Sequence, residues 1–75
     1  MLKLNLSGLN CPLPVLKLKK FLMDIGPLEI VQVTTTDPAS IDDFEEFCLK
    51  TGHKLISQII DNGIIITLIQ KKGII

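Results

Sequence analysis

Cys11 stands in the run Gly8-Leu9-Asn10-Cys11-Pro12-Leu13-Pro14, among turn formers and prolines instead of on an apolar face. A cysteine acts as a nucleophile only as thiolate. A position just ahead of a helix favours an anion, because the first N–H groups there lack partners and the helix dipole is positive at that end. Pro12 and Pro14 suit a first helical turn, where a missing N–H costs nothing, and they stiffen the backbone that presents the sulfur. Leu13 precedes Pro14 and is pushed away from helical angles, so the helix starts at either Pro12 or Pro14. The later start leaves Cys11 in the loop, a step farther from the dipole, whose contribution at an exposed site is modest in any case. Lys17, Lys19 and Lys20 on the same helix would add positive potential. These features read Cys11 as a reactive thiol, with Gly8, Pro12 and Pro14 as its mount.

The other candidate groups read differently. Cys48 shares an apolar helical face with Phe44 and Phe47, which points to core packing. A Cys11–Cys48 redox pair would lack Cys-x-x-Cys spacing. The lone His53 follows Gly52 between a helix and a strand and reads as a hydrogen-bonded loop histidine. Two cysteines and one histidine at scattered positions make no zinc pattern, so no metal site is expected. Lys3, Lys17, Lys19 and Lys20 read as solvated. They also give one end a basic cast, and Lys17 and Lys20 are candidate contacts to an acidic protein surface or RNA.

Periodicity supplies the elements that position these groups. Leu2 to Leu6 alternates apolar and polar, as a short strand does, and Ser7-Gly8 breaks it. Val15, Leu18, Leu22 and Ile25 recur at helical steps, with Lys17, Lys20 and Asp24 opposite, until Gly26-Pro27. Leu28 to Thr35 is rich in β-branched residues and predicts a strand. Asp37 suits the N-cap and Pro38 the first position of a second helix, with Ser40 and Asp43 as a competing cap. Ile41, Phe44, Phe47 and Cys48 form its apolar face, and Asp42, Asp43, Glu45 and Glu46 a solvated acidic one. Gly52 ends it. Lys54 to Asp61 and Ile64 to Lys71 are strands joined by Asn62-Gly63, the signature of a type I′ hairpin. The order β-α-β-α-β-β predicts an α+β fold: a two-layer sandwich with two helices on one face of a four-stranded mixed sheet. Both sides of the last strand are apolar, so the open sheet face is either sticky toward a partner or twin, or covered by a tail or loop.

Size and composition bound the possibilities. The chain has 75 residues, 47% hydrophobic, with three Phe and neither Trp nor Tyr. That is a single domain, residues 1–75, burying roughly 60–65% of its unfolded surface, with no room for a deep substrate cavity. Its formal net charge is zero, which demands no polyanion partner. Its N-terminus lacks the features of a signal peptide, and its longest charge-free run, Gly63 to Gln70, is too short for a membrane span. Two cysteines with no secretory signal point to free thiols in a cytoplasmic protein.

Gly8-Leu9-Asn10-Cys11-Pro12-Leu13-Pro14-Val15 resembles the Gly-Leu-x-Cys-Pro-x-Pro signature of the TusA/SirA-like sulfur-carrier family. Asp37-Pro38, Phe47-Cys48 and His53-Lys54-Leu55 fall where such proteins have similar residues, and the likeness runs from Leu4 to Lys71. It implies a βαβαββ sandwich similar to the C-terminal domain of a bacterial translation initiation factor. It also implies that Cys11 accepts sulfane sulfur from a cysteine desulfurase or other donor. Cys11 would hold that sulfur as a persulfide and pass it to an acceptor sulfur-relay protein, without metal or organic cofactor. Members devoted to transfer-RNA thiolation tend to carry a base where Asn10 stands and an acid where Leu13 stands. The neutral flanks here weaken a specific assignment to transfer-RNA thiolation and leave sulfur transfer itself intact, toward transfer-RNA thiolation or another sulfur-transfer pathway.

Two readings compete with sulfur transfer. One is a non-catalytic regulatory or RNA-binding module using the basic face of the first helix. It lacks an aromatic stacking platform, so direct nucleic-acid binding is disfavoured. The other is a redox protein using Cys11 and Cys48.

Overall fold

Asn62 and Gly63 both take left-handed backbone angles, φ 51° and 80°, as a type I′ turn requires. They join β3 (Lys54–Asp61) to β4 (Ile64–Gln70) in an antiparallel hairpin. The computed structural model, which describes residues 1–73, adds β1 (Leu2–Asn5), α1 (Leu13–Met23), β2 (Ile30–Thr35) and α2 (Ala39–Thr51) ahead of it. The predicted order and the two-layer α+β architecture are those observed. The sheet order is β1-β2-β4-β3. β1 runs parallel to β2, and β2 and β3 each run antiparallel to β4, so the sheet is mixed.

Alternation decides what each strand buries. Val31, Val33, Ile65 and Ile69 are buried under the helices. Leu18 and Leu22 of α1 and Phe44 and Cys48 of α2 complete that core. The buried Thr35 and Ser40 hydroxyls share a hydrogen bond of 2.7 Å, which pins the start of α2 to the end of β2. Ser40 is therefore an anchor and not the alternative cap. On the other side of the sheet, Ile56, Ile59 and Ile64 remain exposed, Ile59 by 57%. The pairing of β3 with β4 shifts between Leu55 and Ser57, a β-bulge at Ile56.

Several boundaries differ from expectation. α1 ends at Met23, with the Asp24 N–H bonded back to the Phe21 carbonyl at 3.1 Å. This tight last turn takes Ile25 out of the helix, although it still packs on the core. Leu28 is not in β2: its φ is 65°, and its N–H meets the Lys71 carbonyl at 3.0 Å. The chain bends there after Gly26-Pro27 instead of extending. β1 and β4 each stop one residue early, at Asn5 and Gln70.

Candidate functional site

Leu13 is the first residue of α1, Pro12 caps it and Pro14 lies within its first turn. The helix thus starts between the two predicted sites. Both prolines occupy positions whose N–H groups would have no intrahelical partner. Cys11 lies in the turn one residue before the cap and is exposed. Gly8, at φ 83°, turns the chain toward this loop, and its N–H donates to Thr36 Oγ1 at 2.9 Å. Only a residue without Cβ adopts that angle at no steric cost.

The loop is fastened by a residue far away in sequence. Asp37 Oδ2 accepts the Cys11 N–H at 2.8 Å, and Asp37 Oδ1 accepts the Ala39 N–H at 3.0 Å. Asp37, one residue ahead of Pro38 at the N-cap position, therefore supplies the capping bond expected of it and also tethers the Cys11 backbone. Both bonds favour its charged form, the one to Cys11 most, and hold its pKa below the ordinary value. Asp37→Ala removes cap and tether together. Its melting temperature should fall by several degrees, and Asp37→Asn, which still caps, should recover most of the loss. Thermal melts of the two variants check this.

The surroundings of the sulfur reverse the expected electrostatics. The Asp43 carboxylate faces the Cys11 thiol, and its hydrogen-bonding hold on the thiol proton is the main reason the Cys11 pKa is raised above the ordinary cysteine value. Slight desolvation and the negative charges of Asp43 and Asp37 act in the same direction. The anticipated support from the dipole and lysines is outweighed, because the first turns of α2 bring carboxylates against the loop. Lys19 lines the same groove as Cys11, whereas Lys17 and Lys20 are exposed outside its lining. The groove lies between α1 and α2, holds about 400 Å³ and has Pro12, Val15, Leu16 and Phe47 as its apolar surface. The sequence alone offers Asp43 as part of a solvated stripe and of a competing helix cap, not as a neighbour of the sulfur. The proximity that gives it a role joins residues in separate elements, and only the helical phase separating it from Asp42 hinted that it turns inward.

The remaining candidates sit apart from the sulfur. Cys48 is buried, and burial pushes its thiol up to about 11, as befits a core residue. Both cysteines are free thiols. No group of three or more metal-ligating side chains occurs among the described residues. His53 accepts the Lys72 N–H on Nδ1 at 3.0 Å and stacks on Phe47 at 5.7 Å. Desolvation, then the charges of Lys72 and Lys71, hold its pKa below 6.5. The unfolded chain therefore binds a proton at a pH where the folded one does not. This contribution to stability is full above pH 6.5 and declines as pH falls below it. Urea midpoints measured between pH 7.5 and 5 should fall in wild type, and fall less in His53→Gln.

A family model described as Sulfurtransferase TusA matches residues 2–71. The chain is 41% identical over 69 residues to the sulfur carrier protein TusA of Allochromatium vinosum, covering 92% of this chain and 91% of that one. It is 38% identical over 70 residues to the sulfur carrier protein TusA of Pseudomonas aeruginosa, covering 93% of this chain and 89% of that one. A crystal structure of a SirA-like protein from Desulfitobacterium hafniense superposes with a TM-score of 0.82 at 25% identity, covering 97% of this chain and all of that one.

Proposed function

Since the chain belongs to the TusA family, we propose that it carries sulfane sulfur as a persulfide on Cys11, taking it from a donor protein and relaying it to an acceptor. The observation that carries this reading is the exposed Cys11 on a fastened helix entrance beside an open groove. Gly8, Pro12 and Pro14 serve as the mount, and Lys17 and Lys20, exposed outside the groove, serve as further partner contacts. No step of the reaction calls for a cofactor. Two free thiols suit a reducing compartment, and we place the protein in the cytoplasm. Among the described residues no helix is long and apolar enough to cross a membrane.

The chemistry follows the rules of thiol exchange. The Cys11 thiolate attacks the outer sulfur of a donor persulfide. The donor's S–S bond breaks, and its electron pair leaves with the donor cysteine as thiolate. That thiolate takes up the proton Cys11 gave away. Cys11 now bears the extra sulfur, and no net oxidation has occurred. An acceptor thiolate then attacks the outer sulfur in the same way, and Cys11 departs as thiolate and is reprotonated. A cysteine desulfurase supplied with cysteine is a suitable donor for the test. Intact mass should show wild type gaining one sulfur atom, which dithiothreitol removes and an acceptor thiol takes over. Cys48→Ala should load equally. A wild-type protein that gains sulfur neither from a desulfurase nor from polysulfide would refute the reading.

A further inference from the structure

Resting on that role for Cys11, we propose that the groove between α1 and α2 docks the cysteine-bearing segment of the protein that exchanges sulfur with it. The groove selects this segment by charge order, with a basic residue beside the partner's cysteine and an acidic residue farther along.

The groove is longer than the hollow beside the sulfur. Past Lys19, Phe47 and Thr51, which border both parts, it continues into a second hollow of about 400 Å³ edged by His53, Lys71 and Lys72. Val15, Leu16 and Phe47 give the hollow beside the sulfur an apolar surface, and the two extremities of the groove are charged in opposite senses. At the Cys11 end stand Asp37 and Asp43. Among the described residues neither has a lysine within ion-pair distance, and the ion pair Lys50–Glu46 lies on the rim between the ends. The Asp37 oxygens accept backbone N–H groups, which leaves Asp43 as the carboxylate facing an incoming group. At the far end Lys71 and Lys72 stand beside His53, whose pKa is lowered by desolvation and by these two charges, while Lys19 stands at the junction of the two hollows. Lys71 Nζ donates to the Ile25 carbonyl, a neutral acceptor, at 2.6 Å.

A segment with the reverse charge order would satisfy both ends while apolar residues between them cover Val15, Leu16 and Phe47. Such opposed patches steer encounter and fix register more than they add affinity. A nucleic acid strand fits less well, because its phosphates would suit the lysines and be repelled at Asp37 and Asp43. The arrangement also ties recognition to reactivity. A partner guanidinium or ammonium against Asp43 draws that carboxylate away from the Cys11 thiol and offsets its charge. The thiolate is then favoured where a reacting sulfur is at hand.

The test uses the full chain and synthetic peptides of identical composition, each with its cysteine activated as a thionitrobenzoate mixed disulfide. One set carries Arg beside the cysteine and Glu near the far end, in both chain directions. The other set has the two charges exchanged. At low ionic strength the better Arg-proximal peptide should release thionitrobenzoate at least about tenfold faster than its charge-exchanged counterpart, a preference that added salt shrinks. Asp43→Asn and Lys72→Glu should each reduce the preference, and Lys72→Glu keeps the test alive if the first variant folds poorly. Equal rates for the two sets, or a preference unchanged in both variants, would overturn the proposal. So would an RNA oligomer that blocks wild-type exchange while neither peptide set shows a preference. Equal rates in a protein that still loads sulfur from polysulfide would sink the charge-ordered groove alone. Failure to load sulfur would sink the carrier role itself.

Discussion

Cys11→Ser should fold as the wild-type chain does and take up no sulfur. The substituted atom is exposed, and the contact that fastens the loop uses the backbone N–H of residue 11 with Asp37, which serine retains. An exposed substitution of this kind changes stability by no more than about 0.5 kcal/mol. The chemistry, by contrast, has no substitute. A serine hydroxyl is not ionised near neutral pH and does not attack sulfane sulfur, and the other thiol is in the core. Burial holds Cys48 protonated, with its pKa at about 11, so its thiolate fraction at neutral pH is very small. Intact mass after incubation with a sulfur donor should therefore show no adduct on Cys11→Ser, alongside an unchanged melting curve. A sulfur adduct that persists in Cys11→Ser and disappears only when Cys48 is also replaced would move the carrier site to the core.

The second large effect is on the fold. Phe44→Ala should remove about 3–5 kcal/mol of stability, the usual cost of truncating a fully buried phenylalanine. Phe44 is completely buried in the core cluster that also holds Leu18, Leu22, Val33 and Ile69. A domain of this size has a total stability on the order of 5–10 kcal/mol. The loss should lower the melting temperature by about 15–30 °C, and urea denaturation should place the midpoint correspondingly low. Phe44 lies one residue after Asp43 on α2, so the sulfur site and the core depend on the same turn of helix. Phe44→Leu, which keeps most of the volume, should retain most of the stability.

Local signals carried much of the fold. Asn62-Gly63 specified a turn whose two left-handed residues are present. Asp37-Pro38 specified a helix start, and Asp37 does cap it, although the regular helix begins at Ala39. Cys11 was legible as an exposed thiol for the same reason: turn formers and prolines surround it. What could not be read was the company it keeps. Asp37 and Asp43 follow it by 26 and 32 positions, and only the packing of α2 beside the loop turns them into neighbours. Reasoning from one helix therefore assigned Cys11 a stabilised anion, whereas two helices together give it a thiol held by a carboxylate. Leu28 was misread because β-branched neighbours suggested extension. The bend after Gly26-Pro27 is instead held by a bond to Lys71, which is remote in sequence.

The bulge at Ile56 bears on how this protein behaves at high concentration. β3 is an outer strand, followed in the sheet by no further neighbour, and it carries exposed Ile56, Ile59 and Ile60. A long, regular, apolar outer strand offers a ladder of unpaired backbone groups to any other chain, the usual beginning of aggregation. The extra residue interrupts that ladder near its start and increases the local twist, which spoils edge-to-edge pairing with another molecule. The irregularity that looks like a fault in the hairpin is thus a safeguard of solubility.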